Sequence, residues 1–571
     1  PNSCRFCHAA SFYRPYRQKQ IEYIMEEVEF LVNKCGYNEL TLSSLSSGDY
    51  NDLDLLIRTL NYKHEQNNIS FSLPSLRINS FTLPLLKELS KVRRSGLTFA
   101  IETPDEQWRK SINKEIEPEK IISILKEAKG MGWKLAKFYF MIGLPGTVRS
   151  TEASKIASYI EEVQKTTGMK LNVNVGTFIP KAHTPFQWSP QLKESESYRD
   201  MRELKYQFRR NSNVKLSYHS PFVSYVEGII SRGDSRVGDI ILNAYKSGAR
   251  LDAWEEHFDM SIWKTAIEDV DWDVEKETTR ERSLEETLPW DNITLGITKS
   301  YLKREYIKAK NYKTTDICDD PCDHNCGVCK KDTVVVKNLT EALRREILDE
   351  TRQPEKNKEN VLSFLIEFNK IGKAKYLSHL NIVNVFSKVL RRSEVTLKYS
   401  QGFNPKPKLE FAHPLALGIE SKVEILSISL TSEISPEELM RRMNKNIPAG
   451  IKISNCKLIP VSPEKRKRKS LMSIYGGSSY TITSILNHTD LKFFDSMLNY
   501  DKDMEFKNLH ISKFDEKLML TVDNTGRKDS NLFFHIDKLI DRKEFNENYT
   551  VERCELFAGT NRKSYFEVLI N

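Results

Sequence analysis

The first twenty residues, Pro1–Gln20, read PNSCRFCHAASFYRPYRQKQ and place two cysteines three positions apart, Cys4 and Cys7, beside aromatic and arginine residues. A Cys-x-x-Cys pair by itself also occurs in zinc knuckles and in thiol redox sites. A thiol redox pair would form a reversible disulfide, whereas a zinc knuckle would need further ligands. The meaning of this stretch therefore depends on the fold that the following residues predict.

Short apolar runs alternate with helical patterns over residues 1–220, which predicts a chain of strands and helices. Five strands are expected, at Glu39–Leu45, Ile69–Ser75, Leu97–Glu102, Leu135–Gly143 and Leu171–Phe178. A helical pattern lies before the first of them, and Gly36 ends it. Such alternation predicts parallel βα units, in a barrel or a doubly wound sheet. Folds of this kind place their chemistry at the carboxyl ends of the strands.

Composition limits the class of protein. The chain has 571 residues, of which 39% are hydrophobic, and its net charge of +9 permits an anionic partner such as RNA without requiring one. No apolar run reaches the ~18 residues of a membrane span, so no membrane partner is expected. Six of the nine cysteines fall into two tight groups. Such grouping is typical of metal ligands in a reducing compartment, and a cytoplasmic protein is predicted.

On such a fold the opening stretch resembles the cluster loop of the radical S-adenosylmethionine (radical SAM) superfamily. That loop follows the first barrel strand and reads Cys-x-x-x-Cys-x-aromatic-Cys, and Cys4, Phe6 and Cys7 match its last three marked positions. The resemblance implies a [4Fe–4S] cluster on three thiolates, with S-adenosylmethionine on the fourth iron. It also implies that the first ligand and the first strand precede Pro1. The expected α/β fold is thus a partial (β/α)6 TIM-like barrel, over residues 1–220, that lacks its first strand.

Further motifs of the resemblance fall at the ends of successive predicted strands. The implied cofactor-binding residues are Ser47, Gly48 and Asp49 near the methionyl amino group, Glu102 near the ribose or amino group, Ile142, Gly143 and Leu144 beside the adenine, and Phe178 in the last loop. Each has a simpler explanation, such as an ordinary turn, a carboxylate that starts a helix or a run that breaks a strand. Their order along the chain favours the radical SAM interpretation.

A second group of cysteines lies in CDDPCDHNCGVC, residues 318–329. Its predicted metal ligands are Cys318, Cys322, Cys326 and Cys329. Four thiolates satisfy the ligand count of either structural zinc or an auxiliary iron–sulfur cluster, and the spacing matches neither standard pattern. Both metals therefore stay open. His324 could replace a cysteine, but a solvent-facing loop histidine is expected.

The remaining chain predicts four further regions. They are a helical extension over 221–315, the metal segment over 316–332, a polar linker over 333–360 and an α+β domain over 361–571. Whether this last domain forms one unit or two halves stays open. Residues 377–421 closely resemble the radical-SAM-linked domain of a bacterial family that joins it to a cobalamin-binding-like domain and a radical SAM barrel. This resemblance implies that cobalamin is possible in the full-length protein.

The loop at residues 399–411, YSQGFNPKPKLEF, combines aromatic and lysine residues. Such a combination suits stacking on bases and neutralising phosphates. The candidate substrate-binding residues are His379, Gln401, Phe403, Asn404, Lys406 and Lys408. Alternatively, the loop is a tight turn whose aromatics are core and whose lysines are solvated.

Taken together, these patterns predict a radical SAM enzyme that methylates or methylthiolates an RNA or ribosome-associated substrate. Its reductant is expected to be a flavodoxin or a ferredoxin. The alternative is a non-catalytic, zinc-containing RNA- or ribosome-binding protein.

Overall fold

The computed structural model describes residues 3–64, 67–73, 83–90, 96–114, 117–318, 324–329, 360–400, 405–460, 468–485, 492–504, 508–514, 517–526 and 531–570. The chain forms two compact units. The first consists of Pro1–Tyr23, Thr41–Lys63 and Phe71–Arg352, and the second of Ile24–Leu40, His64–Ser70 and Gln353–Asn571. The second unit thus takes two short segments from the early part of the chain.

The strands up to residue 310 are β1 (Glu39–Thr41), β2 (Ser70–Ser72), β3 (Leu97–Glu102), β4 (Leu135–Ile142), β5 (Lys170–Thr177) and β6 (Val214–Tyr218). The helices are α1 (Ala9–Phe12), α2 (Ile21–Glu29), α3 (Leu53–His64), α4 (Leu83–Leu89), α5 (Glu106–Ser111), α6 (Pro118–Gly130), α7 (Arg149–Thr167), α8 (Glu194–Phe208), α9 (Pro221–Arg232), α10 (Val237–Lys246), α11 (Met260–Glu268), α12 (Val274–Thr279) and α13 (Lys299–Lys310). A short π-helix, Phe30–Lys34, continues α2, and Gly36 follows it with a φ of +76°.

The first unit is built on a parallel sheet in the order β3-β4-β5-β6. Phe138 of β4 lies opposite Phe99 of β3 and Val173 of β5. These three side chains are buried in the same core as Ile156 and Ile160 of α7. One face of the sheet is therefore covered by helices.

The opposite face of this sheet is not apolar. In β4 the buried residues alternate with exposed ones, among them Lys137 and Tyr139, and Tyr139 is 42% exposed. Asn172 and Asn174 of β5 lie half-buried on this face as well. A parallel sheet covered on both faces carries near-continuous hydrophobic runs, so this alternation marks a face that is not part of the core.

The parallel strand–helix architecture is confirmed, but the predicted count of five strands was wrong. Strand β6 was missed because its sequence, VKLSY, buries only Val214 completely and so lacks an apolar run. The strand predicted at Glu39–Leu45 ends at Thr41. Directly after it, the Ser47 hydroxyl donates to the Leu42 carbonyl, so a side chain replaces the strand partner there. Within the described residues β1 and β2 pair with each other and not with β3. Closure of these strands into a partial barrel stays a prediction.

Residues 221–310 are mostly helical. Three of these helices begin at capping side chains: Asp259 accepts a hydrogen bond from the Ser261 N–H, Asp273 from that of Lys276, and Thr298 from that of Tyr301. In the described part of the chain no helix is both long and apolar enough to cross a membrane.

The second unit is α+β. Its later strands are β7 (Leu362–Lys370), β8 (Leu409–Phe411), β9 (Glu420–Leu430), β10 (Ile451–Leu458), β11 (Tyr475–Ser484), β12 (Leu509–Phe514), β13 (Lys517–Asp523) and β14 (Tyr549–Ala558). Its later helices are α14 (His379–Arg392), α15 (Pro436–Asn446), α16 (Lys492–Met504), α17 (Leu532–Ile536), α18 (Arg542–Asn548) and α19 (Tyr565–Leu569). The strands form one sheet in the order β10-β7-β9-β14-β11-β13-β12, with β8 on β9. The parallel pair β9–β14 joins the two halves in a single sheet.

Candidate functional site

The loop that carries Cys4 and Cys7 is held in place by Arg5, one of the two residues between them. The Arg5 side chain is fully buried, and its Nε lies 3.1 Å from Oε2 of Glu305 on α13. Its guanidinium also donates to the backbone carbonyls of Ser111, at 2.9 Å, and Lys313, at 2.7 Å. A buried arginine with this many partners fixes the loop against two distant parts of the unit.

The two thiols lie on one tight turn, in which the Cys7 N–H donates to the Cys4 carbonyl at 3.1 Å. Cys4 is buried and Cys7 is half-buried. Burial, and then the proximity of Cys4, raises the pKa of the Cys7 thiol. A bound metal reverses this effect, because coordination deprotonates a thiol. The donor set fits two ligands of an iron–sulfur cluster, although no group of three His, Cys, Asp or Glu side chains in the described ranges could hold a metal ion.

Glu102 ends strand β3 in an unusual conformation. Its φ is +65°, a left-handed value that a non-glycine residue rarely adopts. Its carboxylate is buried and lies 2.6 Å from Nζ of Lys114, which is also buried. The same ammonium lies 6.0 Å from the ring centroid of Phe6, inside the cysteine loop. Backbone strain at a strand end, beside a buried ion pair, is typical of functional sites.

The turn Ser47–Asp49 is a short 3-10 turn. The Ser47 hydroxyl donates to the Leu42 carbonyl at 3.0 Å, so it stabilises the turn itself. The carbonyl of Asp49 accepts a hydrogen bond of 3.0 Å from the hydroxyl of Tyr16. Burial, and then the Asp49 charge, raises the pKa of Tyr16 to about 12, so the hydroxyl stays a donor. The turn is thereby attached to the segment that follows the cysteine loop.

Gly143 makes the turn after β4 possible. Its φ is +77°, and a Cβ added there would lie 2.6 Å from Cγ of Leu192. Its N–H donates to both carboxylate oxygens of Glu152, at 3.0 and 2.9 Å. Glu152 is buried, and burial raises its pKa. The carboxylate of α7 thus fixes the backbone of the Ile142–Leu144 segment.

One apolar cluster joins the predicted motifs. Leu144 and Phe178 are buried in it, Phe6 of the cysteine loop packs against it, and Cys326 of the second cysteine group belongs to it. The Phe178 N–H donates to the Ile142 carbonyl at 2.9 Å, which places the ends of β4 and β5 side by side. The structure therefore brings together Phe6, Leu144 and Phe178, which are far apart in sequence.

The second cysteine group lies close to the first. Arg14 donates to the Ser3 hydroxyl, next to Cys4, at 2.6 Å, and to the Tyr301 hydroxyl at 3.0 Å. Burial by itself lowers the pKa of Arg14, but Tyr301 and the thiols of Cys326 and Cys318 raise it above its usual value. The Arg14 guanidinium therefore interacts with the residue next to Cys4 and also with the second cysteine group.

The other residues of the second group differ in exposure. Cys318 and Cys326 are buried, Cys329 is exposed, and Cys322 lies outside the described residues. The prediction that His324 faces solvent was wrong: the side chain is buried, and its ring stacks with that of Tyr301 at a centroid distance of 6.4 Å. The aromatic neighbour comes from α13, so residues 318–329 by themselves gave no sign of it.

In the second unit, the candidate substrate residues are only partly described. Lys406 and Lys408 are exposed, and half-buried His379 packs edge-on against Phe411 at 5.2 Å. Gln401, Phe403 and Asn404 lie outside the described residues. Tyr399 at the start of the loop is buried, and its hydroxyl accepts from Arg391, so this aromatic is core.

Sequence reasoning missed Arg5, Arg14, Lys114 and Glu305, and also the polar sheet face. The charged residues carry no signal in their spacing, because Arg5 and Glu305 are 300 positions apart. The sheet face did leave a signal, namely the alternation in LAKFYFMI and KLNVNV.

Two family models match parts of the chain. Residues 1–153 match the radical SAM superfamily, and residues 364–558 match a family described as uncharacterized protein conserved in bacteria (DUF2344). The first part of the chain thus matches a radical SAM domain.

Individual relatives add little. "Uncharacterized protein MJ0966" of Methanocaldococcus jannaschii is 26% identical over 279 residues, 47% of this chain, and the match spans 60% of that protein's length. Streptococcus suis SuiB, in crystal structures without and with S-adenosylmethionine, is 14% identical with a TM-score of 0.29. The matches cover 40% of this chain and 49% and 50% of those chains. A TM-score this low supports no conclusion about fold or function.

Proposed function

We propose that this chain, whose first 153 residues form a radical SAM domain, belongs to an enzyme that reductively cleaves S-adenosylmethionine and methylates or methylthiolates an RNA or ribosome-associated substrate. A cytoplasmic flavodoxin or ferredoxin supplies the electron, and cobalamin is the candidate methyl carrier. The observation that carries the proposal is the apolar cluster that joins Phe6, Leu144 and Phe178 at the ends of neighbouring strands.

Each residue of the proposed site has a separate role. Cys4 and Cys7 would supply two of the thiolates that hold the cluster, and Arg5 keeps their loop rigid. When bound, the cluster delivers one electron to the sulfonium of S-adenosylmethionine. Glu102 would accept hydrogen bonds from the cofactor's amino or ribose groups, and its contact with Lys114 orients the carboxylate. The backbone at Gly143 and Leu144 would border the adenine.

The polar face of the sheet suits a substrate that must approach this chemistry. The Asn174 amide donates to the Ser217 hydroxyl at 3.2 Å, so neighbouring strands carry linked polar groups on that face. Exposed Lys406 and Lys408 of the second unit support an anionic substrate such as RNA. Methyl or methylthio transfer is favoured because the C-terminal domain resembles one that accompanies cobalamin-binding-like domains.

The test is anaerobic reconstitution of the natural full-length protein with iron and sulfide, followed by S-adenosylmethionine and dithionite. The expected result is 5′-deoxyadenosine, whose formation is lost in Cys4→Ala and Cys7→Ala and retained in the control Cys35→Ala. S-Adenosylhomocysteine as a co-product would support methyl transfer. Colourless protein that holds zinc and releases no 5′-deoxyadenosine would overturn the proposal and favour the zinc-containing binding protein.

A further inference from the structure

The second unit contains a cavity of about 620 Å³, within the usual size range of small-molecule sites. His413 and Tyr475 form one wall, and Phe533 and Arg542 contribute to another. None of these residues belongs to the proposed S-adenosylmethionine site in the first unit. The cavity therefore needs its own explanation.

The first wall is a stacked pair on a buried ionic support. The rings of His413 and Tyr475 lie 4.1 Å apart at 16°. Behind them, fully buried Arg553 donates to Glu424 at 2.9 Å and lies 3.3 Å from Nδ1 of His413. A guanidinium can only donate, so Nδ1 accepts and the proton of the neutral imidazole sits on Nε2. Burial, and then Arg553 and His379, lower the pKa of His413 to about 4, which keeps the ring neutral.

The second wall offers an aromatic face with a cation stacked on it. The guanidinium carbon of Arg542 lies 3.6 Å from the ring centroid of Phe533. Asp537 accepts from Nε of Arg542 at 2.7 Å, so the cation is partly neutralised and held flat. The Asn524 amide, which donates to the Tyr475 carbonyl at 2.8 Å, adds a group with both donor and acceptor atoms to the lining.

We propose that this cavity binds the base of a ribonucleotide, stacked on the aromatic and guanidinium faces and hydrogen-bonded at its edge by His413 and Asn524. Flat aromatic and guanidinium surfaces combined with amide and imidazole donors are the means by which proteins hold unpaired bases. The lining carries one partly neutralised cation, which suits a neutral base better than a compact polyanion. The inference rests on the proposed RNA substrate, for which it names an anchoring site away from the cluster.

The experiment measures binding of the four ribonucleoside 5′-monophosphates and of a short single-stranded oligoribonucleotide to the intact protein, without iron or S-adenosylmethionine. Met472→Glu and Arg542→Ala change side chains that line the cavity yet are 54% and 42% exposed, so the fold is expected to survive. Arg542→Ala is expected to weaken binding by about tenfold, the loss of one stacking contact. Met472→Glu places a negative charge in the lining and is expected to weaken binding of the anionic nucleotides as well. His413→Phe keeps an aromatic ring but removes the N–H donor, and it should also weaken binding. Phe514→Leu, exposed and outside the cavity lining, is the control.

The two sources of the base give different results. Binding of a mononucleotide that the variants weaken supports a site for a free nucleotide as well as for RNA. Binding of the oligoribonucleotide alone, weakened by the same variants, supports a base presented by RNA. Absence of binding, or binding that the variants leave unchanged, overturns the inference. Because 5′-deoxyadenosine formation is assayed separately, failure here would leave the proposed chemistry standing, and the converse also holds.

Discussion

At the scale of single residues, Arg5 shows how much of the site depends on a side chain that performs no chemistry. It lies between the two cysteines, and its partner Glu305 is almost completely buried as well. Removing one member of a buried ion pair leaves the other charge uncompensated, which typically costs about 3–5 kcal/mol. Lys308 and Thr315 also contact Glu305, and this places the expected cost toward the lower value.

Arg5→Met is therefore expected to lower the free energy of unfolding by about 3 kcal/mol and to reduce the iron retained after reconstitution. Urea unfolding and iron analysis are the measurements. The exposed Arg17→Met serves as control and should change neither. In the double variant Arg5→Met/Glu305→Met most of the stability should return, because no buried charge remains unpaired. A double variant as unstable as the single one would contradict the argument.

Glu102 is the residue whose strain and charge both point to a ligand. Glu102→Gln keeps the shape, but it replaces one acceptor oxygen with an NH2 donor and leaves Lys114 without a countercharge. We expect binding of S-adenosylmethionine to the reconstituted protein to weaken about tenfold or more, since a hydrogen bond to a charged group contributes about 1.5–3 kcal/mol. Equilibrium dialysis measures this. The exposed Glu106→Gln is the control, and equal affinity in both variants would show that Glu102 is only structural.

His413 predicts a pH dependence of stability. Its folded-state pKa of about 4 lies below the ordinary value of 6.5, so the unfolded chain binds more protons between these values. The free energy of unfolding therefore keeps the full contribution of the neutral ring above pH 6.5. It falls by at most about 3 kcal/mol as the pH decreases toward 4. Urea unfolding from pH 7 to 4.5 should show this slope in the wild type and a shallower one in His413→Phe. The exposed His510→Phe should keep the wild-type slope, and identical slopes in all three proteins would contradict the assignment.

At the scale of elements, the strands show what the sequence can and cannot predict. Strands β3, β4 and β5 follow from their apolar runs, because burial of one face demands alternate large apolar residues. Strand β6 has no such run and is held by its parallel pairing with β5, from Leu171↔Val214 to Val175↔Tyr218. The cysteines and Glu102 stand out in the sequence through local motifs and stay predicted site residues, whereas the contacts of Lys114 and Arg14 exist only in the folded chain.

The turn after β4 allows a matched test of one glycine. In Gly143→Ala the new Cβ meets Leu192 as well as a φ of +77°, and strain of this kind costs about 1–3 kcal/mol. Gly248→Ala is the control, since its φ of +104° is equally unfavourable but no atom lies within 4 Å of the added Cβ. Thermal unfolding should show a larger loss for Gly143→Ala, and adding Leu192→Ala should recover part of it. Equal losses at the two glycines would exclude a role for the contact with Leu192.

At the scale of the whole molecule, the division into units could not be read from composition. The polar stretch before residue 361 predicts a boundary, and the last of the three segments of the second compact unit is Gln353–Asn571. Ile24–Leu40, however, also belongs to that unit, although its helical pattern looks like one more βα helix. Amphipathic periodicity shows that a helix buries one face, but it does not identify the element against which the face packs.

Both early segments of the second unit contact helix α14. Gly36 approaches α14 so closely that an added Cβ would lie 2.6 Å from the carbonyl oxygen of Lys388. The ammonium of Lys388 lies 3.9 Å from the ring centroid of Tyr37. From the other early segment, His64–Ser70, the Asn67 carbonyl accepts a hydrogen bond of 2.8 Å from Arg391. A fragment of residues 360–570 loses all three contacts.

That fragment is expected to unfold several degrees below a version in which Ile21–Leu40 is fused to it through a flexible linker, because a loss of about 1 kcal/mol lowers the midpoint by roughly 2–4 °C for a domain of this size. Calorimetry of the two proteins measures the difference. Fusion of the same segment with Gly36→Ala is the control and should restore much less, since the close approach to Lys388 is blocked. If the bare fragment is as stable as the fused one, the early segment only lies against this unit and does not stabilise its fold.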